Sequence, residues 1–191
     1  MDDIVKAALA KWPNVPDCYG WLGLDARGNW YMRDERAQSA GAFGAVLDDT
    51  ARQMASKGSL LKHEKLIDFI QRNYEHDDAG QWFFQNGPQR VYVELEAAPW
   101  VWRIGDADFA VTAHTGAAVT PTGCLLDELG RLYLVAPIGL GLVHTQDVGI
   151  AADAIEQGRW TPEEVRAADL PARFGHVMSP AAQHAAPGPT A

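Results

Sequence analysis

The spacing of apolar and polar residues changes along the chain, and each change marks an element. Ile4, Val5, Ala8, Leu9 and Trp12 recur at helical spacing, so 3–12 reads as a short amphipathic helix that Pro13 ends. Strand-forming runs at 19–25 and 29–33 flank Asp25-Ala26-Arg27-Gly28 and read as a hairpin. The period then returns to that of a helix. Phe43, Val46, Leu47, Ala51 and Met54 share one face over 41–56, with Gly58 placed to end it. A second helix is expected over 62–74, with Leu66, Ile67, Ile70 and Tyr74 inward and Lys62, Lys65, Asp68 and Arg72 outward.

Short β-prone runs follow at 81–85 and 90–95 about Asn86-Gly87-Pro88, then at 100–104, 109–112, 124–127, 131–135 and 140–144. Asp147 is placed to cap a helix running to Gln157. Thr161-Pro162-Glu163-Glu164 carries an N-cap residue, a Pro at the first helical position and the Glu of a capping box, and predicts one more helix. From 179 onward the apolar residues have no period, so 179–191 reads as a disordered tail.

One pattern recurs. Asp25-Ala26-Arg27-Gly28, Asp77-Asp78-Ala79-Gly80 and Asp127-Glu128-Leu129-Gly130 each precede a strand opening with large residues. A tight turn needs Gly at positive φ, and the strand after it starts the core. The second and third copies stay in register at an offset of 50 through Val91-Tyr92-Val93 and Gly141-Leu142-Val143. The expected fold is therefore α+β, with repeated β-hairpin units (20–33, 77–95 and 127–144) forming antiparallel sheets packed against amphipathic helices in one compact body, 1–178.

Composition narrows the function. With 25 acidic residues against 16 Lys and Arg, the net charge of −9 opposes nucleic acid and anionic membrane surfaces. Cys18 and Cys124 lack a CxxC spacing, which fits a reducing cytoplasm. No apolar run reaches bilayer length, and the first residues do not resemble a signal peptide. The six histidines form no HExxH or HxxxH pattern, there is no GxSxG elbow, and Gly139-Leu140-Gly141 lacks a phosphate-loop continuation. No metal and no cofactor are expected.

The densest polar set surrounds the second hairpin: His63, Arg72, Asn73, Gln85, Asn86, Gln89 and Arg90. Amide side chains both donate and accept, and Arg offers a fork for a carboxylate or phosphate. These seven are the candidate ligand-binding residues, with Arg90 foremost. Trp100 and Trp102 alternate with Val101 and point to one side of a strand, where core packing is their expected role.

The run from Lys62 to Leu95, with Arg173-Phe174-Gly175-His176-Val177-Met178-Ser179-Pro180, resembles an uncharacterised proteobacterial family catalogued as a domain of unknown function. The G-x-W hairpins are similar to a second uncharacterised bacterial family, whose members duplicate a small α+β unit and for which a signalling role has been proposed. Neither resemblance brings catalytic residues. The leading reading is a cytoplasmic regulatory module that binds a small polar or anionic ligand or a partner protein. The alternatives are a small enzyme using His63 or Glu64 as acid or base with Arg90 as anchor, and a structural protein that forms homodimers.

Overall fold

The computed structural model describes residues 1–185. Its helices are α1 (Asp3–Lys11), α2 (Glu35–Ala40), α3 (Thr50–Lys57), α4 (Glu64–Arg72), α5 (Val148–Glu156), α6 (Leu170–Phe174) and α7 (Pro180–Ala185). The strands are β1 (Cys18–Leu24), β2 (Trp30–Met32), β3 (Ser59–Leu60), β4 (Tyr74–His76), β5 (Trp82–Asn86), β6 (Gln89–Leu95), β7 (Trp100–Ile104), β8 (Val111–Ala113), β9 (Ala118–Val119), β10 (Gly123–Asp127), β11 (Leu132–Ala136), β12 (Gly139–Val143) and β13 (Pro162–Val165). The class is α+β. The single body expected over 1–178 divides into two compact units.

Among the described residues, the first unit holds Met1–Asp25, Asn29–Glu96 and 176–185. Its sheet runs β3-β2-β1-β6-β5-β4, with α4 packed on β5 and α7 on β1 and β6. The second unit holds Ala26–Gly28 and Ala97–Gly175, and its sheet runs β13-β10-β11-β12-β7-β8-β9. Both sheets are mixed rather than wholly antiparallel: β1 lies parallel to β6, β7 to β12 and β13 to β10. Read outward from the parallel pair, β4-β5-β6-β1-β2-β3 and β10-β11-β12-β7-β8-β9 have the same order and the same strand directions. The hairpin registers also coincide at an offset of 50: Phe84 faces Val91, and Leu134 faces Gly141.

The three Asp-x-x-Gly turns share one construction. The Asp carboxylate accepts the backbone N–H four residues on, from Asn29 at 2.8 Å, Gln81 at 2.9 Å and Arg131 at 2.8 Å. Gly28, Gly80 and Gly130 take φ of 80°, 75° and 74°, a left-handed backbone that a side chain would disfavour. The second oxygen of Asp127 accepts from Arg131 Nε at 2.7 Å and Tyr133 Oη at 3.2 Å. Burial pushes this carboxyl up, but backbone and guanidinium hydrogen bonds from Arg131, with one from Leu129 N–H, outweigh it and leave the pKa below the ordinary value. Between β5 and β6 the two-residue loop is Gly87-Pro88, with Gly87 at φ 57°, while Asn86 is the last paired residue of its strand, opposite Gln89.

One expected helix is shortened to its second half, α3, which Gly58 ends as expected, and one is absent. Over 41–56, Asp34 caps α2 through Ala37 N–H, and Gly41 ends that helix. Asp49 then caps α3 by accepting from Ala51 and Arg52 N–H, so the segment between them carries no helix. At Thr161-Pro162-Glu163-Glu164 the capping signal loses to tertiary pairing, because residues 162–165 lie against Cys124–Asp127 as strand β13. Pro is tolerated there at the first position of an edge strand. Asp147 precedes α5 as expected, but its carboxylate does not cap it. It accepts instead from Arg103 Nε at 2.6 Å and Ile104 N–H at 3.0 Å.

The expected disorder from 179 also fails over its described part. Pro180 is buried and 180–185 form α7. The reason is a tertiary partner that no local pattern announces. The buried Glu94 carboxylate on β6 accepts from Ser179 Oγ at 2.5 Å and Ala181 N–H at 3.1 Å. The rest of that expected tail, 186–191, lies outside the described residues.

In the second unit Trp100 and Trp102 stack at 6.1 Å between centroids. Their Nε1 groups donate to Ile138 and Leu134 carbonyls at 2.8 Å each. A Cβ on Gly141 would come within 2.4 Å of the Trp102 ring, so the glycine is the seat of the indole. This is the core role expected from their spacing, with Ala98, Leu125, Tyr133, Leu140, Leu142 and Leu170 forming a cluster of the same unit.

Candidate functional site

Alternation along the strands of the first unit puts Cys18, Leu22, Met32, Phe84, Asn86 and Val91 on one face of the sheet. Helix α4 covers part of that face. His63 caps it, with Nδ1 accepting from Leu66 N–H at 3.3 Å, and Leu66 and Ile70 fall one turn apart on its inner side. Between helix and sheet lies a crevice of about 270 Å³, lined by Cys18, Trp21, Leu22, Met32, Leu61, Leu66, Ile70, Phe84, Asn86 and Val91. The pairing of β1 with β6 shifts between Cys18 and Leu22, and with this irregularity Trp21 and its sequence neighbour Leu22 both line the crevice.

The crevice is open to solvent along a rim of large apolar residues. Trp21 is 42% exposed, Met32 51% and Leu66 36%. Its polar groups are the Asn86 amide and the Cys18 thiol, whose pKa burial pushes up, keeping it protonated and a poor nucleophile. The chemistry of such a surface suits apolar matter, with one amide available for a hydrogen bond.

Of the seven residues expected at a site, Asn86 lines this crevice and the others make intramolecular contacts. Asn73 is buried, with Oδ1 accepting from Asp2 N–H at 2.7 Å and Nδ2 donating to Phe69 O at 2.9 Å. Gln85 is buried too and donates to Gly87 O at 3.0 Å, tightening its own hairpin. Gln89 Nε2 donates to Pro16 O at 3.0 Å, and Arg72 meets the Asp2 carboxylate at 3.4 Å. Arg90 lies on the opposite face from Val91, its guanidinium over the Phe83 ring at 4.7 Å. Tyr92, on that same face, donates to Asp77 at 3.1 Å and stacks on Tyr19 at 4.6 Å. Arg72→Ala is expected to change stability by less than about 1 kcal/mol, since its pair is exposed; thermal denaturation of the variant checks this.

The crevice residues missed from sequence come from strands, a loop and a helix far apart in the chain, and as mostly apolar positions they carry no local mark. Among the described residues no group of three or more His, Cys, Asp or Glu side chains is placed to hold a metal ion, and no helix is long and apolar enough to cross a membrane.

Compared with known families, residues 1–181 match a family model described as "Protein of unknown function (DUF2946)". The chain belongs to the DUF2944 family. Among solved structures, this DUF2944 chain is similar to a DUF1285 family protein from Silicibacter pomeroyi DSS-3, at 12% identity and TM-score 0.46, covering 80% of this chain and 84% of that one. It is also similar to a DUF1285 family protein from Shewanella baltica OS155, at 15% identity and TM-score 0.41, covering 70% and 91%. No curated protein matches. The DUF2944 assignment carries no specific activity, so the chemistry of the crevice is the guide to function.

Proposed function

We propose that this DUF2944 protein is a ligand-binding regulatory module whose first unit takes a small, largely apolar molecule in the crevice beneath α4. The observation that carries the reading is the crevice itself: an apolar floor of Leu22, Phe84 and Val91, apolar walls of Leu66, Ile70 and Met32, and the Asn86 amide as a polar contact. Apolar surface left open to water at Trp21, Met32 and Leu66 is stabilised by a ligand that covers it. The common connectivity of the two sheets supports reading the chain as a duplicated unit. The two free thiols suit a reducing, cytoplasmic setting.

The test uses 1-octanol and indole as neutral apolar probes, with binding followed by thermal shift and calorimetry on the full chain. Both are expected to raise the melting temperature. Leu66→Asp places a charge in the wall at a part-exposed position, so it is expected to weaken binding by about tenfold or more while leaving the fold intact. No shift with either probe, or equal binding to the variant, overturns the reading.

A further inference from the structure

On the other face of the same sheet, Gly20, Arg33, Gln38, Gly41, Ala42, Glu94, Ser179, Ala181 and Ala182 line a second cavity of about 270 Å³ that is open to solvent. It differs in kind from the crevice. Two of its lining residues are buried ions, Arg33 at 3% exposure and Glu94 at 2%. Most of the remaining wall is glycine and alanine, so the polar groups are the long side chains that reach it.

The hydrogen-bond accounts of these ions are incomplete. A guanidinium carries five N–H donors. Arg33 Nε donates to Ser56 O at 2.9 Å, Nη1 to Gly20 O at 3.3 Å and Nη2 to Gly41 O at 2.7 Å. The other two donors have no acceptor among the described residues, although the group is almost fully removed from water. Glu94 accepts from Ser179 Oγ and Ala181 N–H, and a carboxylate has lone pairs beyond those two. Gln38 Nε2 donates to Arg33 O at 3.1 Å, leaving Oε1 as an acceptor. Buried donors and acceptors of this kind seek partners, because a missing one costs about 1–3 kcal/mol.

We propose that this cavity binds a small zwitterion of the α-amino acid type, its carboxylate taken by the spare Arg33 donors and its ammonium by Glu94 and Gln38 Oε1. The charges select the class. A simple anion would meet Glu94, and a simple cation would meet Arg33, whereas a molecule carrying both charges satisfies both walls at once. The small residues select the size. Gly20 has φ 78°, and a Cβ there would lie 2.8 Å from Gln38 Oε1, so the wall is kept thin where the polar groups converge. Because Ala181 and Ala182 belong to α7, an occupant also tightens the docking of the C-terminal helix.

The experiment is calorimetry on the full chain with L-alanine, propionate and ethylamine, the last two each lacking one of the charged groups. L-Alanine is expected to bind at least about tenfold more tightly than either. Ala182→Leu fills the cavity from an exposed helix position and is expected to abolish binding without lowering the melting temperature. Hydrogen exchange gives an independent readout on the unaltered chain, with L-alanine expected to slow the amides of 181–185. The proposal is overturned by no heat from L-alanine at about 10 mM, by propionate or ethylamine binding as tightly, or by exchange in 181–185 unaffected by L-alanine.

Discussion

Replacing Arg33 by Met is expected to lower the stability of the first unit by about 3–5 kcal/mol, the range for breaking a buried, hydrogen-bonded ionic group. The side chain lies at the centre of four segments. It holds the carbonyls of Gly20 on β1, Gly41 after α2 and Ser56 on α3, while its guanidinium faces the Phe43 ring at 5.6 Å. Met keeps the unbranched stem as far as the position of Nε and restores none of the hydrogen bonds, leaving three acceptors without their donor. Burial lowers the pKa of this Arg, and the nearby Glu94 charge acts against that shift.

Arg33→Lys separates shape from charge. An ammonium is a point donor and cannot span three carbonyls set around a planar fork, so Lys is expected to recover less than half of the loss in urea denaturation. Full rescue by Lys would mean that charge near Glu94, rather than the three carbonyl contacts, is what the fold needs. Nothing in the local sequence singles Arg33 out: it follows a short strand and precedes Asp34, a position where an exposed Arg is ordinary.

This contrast explains which parts of the fold were legible in the sequence. Turns were, because the Asp and Gly of Asp77-Asp78-Ala79-Gly80 act within five residues of each other. Helix α4 was legible from the spacing of Leu66 and Ile70. Pairings between distant segments were not: the parallel contact of β1 with β6 joins Cys18 to Val91, and β13 is a strand only because Cys124–Asp127 lies beside it. Polar density around the second hairpin was visible, but Asn73 uses its amide to tie the start of α1 to α4, and Gln85 uses its amide to close its own hairpin. An amide that closes a fold and one that meets a ligand look alike in sequence, and only the partner distinguishes them. Asn86, one residue from Gln85, is the amide that reaches the crevice.

Acid is expected to destabilise the first unit from about pH 6.5 downward, through His176. This imidazole is 5% exposed, and neither ring nitrogen has a hydrogen-bond partner among the described residues. Burial lowers its pKa from 6.5 to about 4. The unfolded chain therefore takes up a proton near pH 6.5 that the folded chain refuses until about pH 4. Stability from the neutral ring is complete above pH 6.5, falls as pH drops through this window, and is lost by about 3 kcal/mol at its lower end. Asp127 and Asp147 in the second unit have pKa values below their ordinary 3.8, so their contributions are lost only at lower pH. The measurement is urea denaturation of the natural protein and His176→Leu at pH 7.5, 6, 5 and 4.5. The variant is expected to match or exceed the natural protein at pH 7.5, since it buries no unpaired polar atom, and to gain on it steadily as pH falls. Parallel curves would mean that His176 is protonated in the fold through a partner it gains there, and would remove it as the source of acid sensitivity.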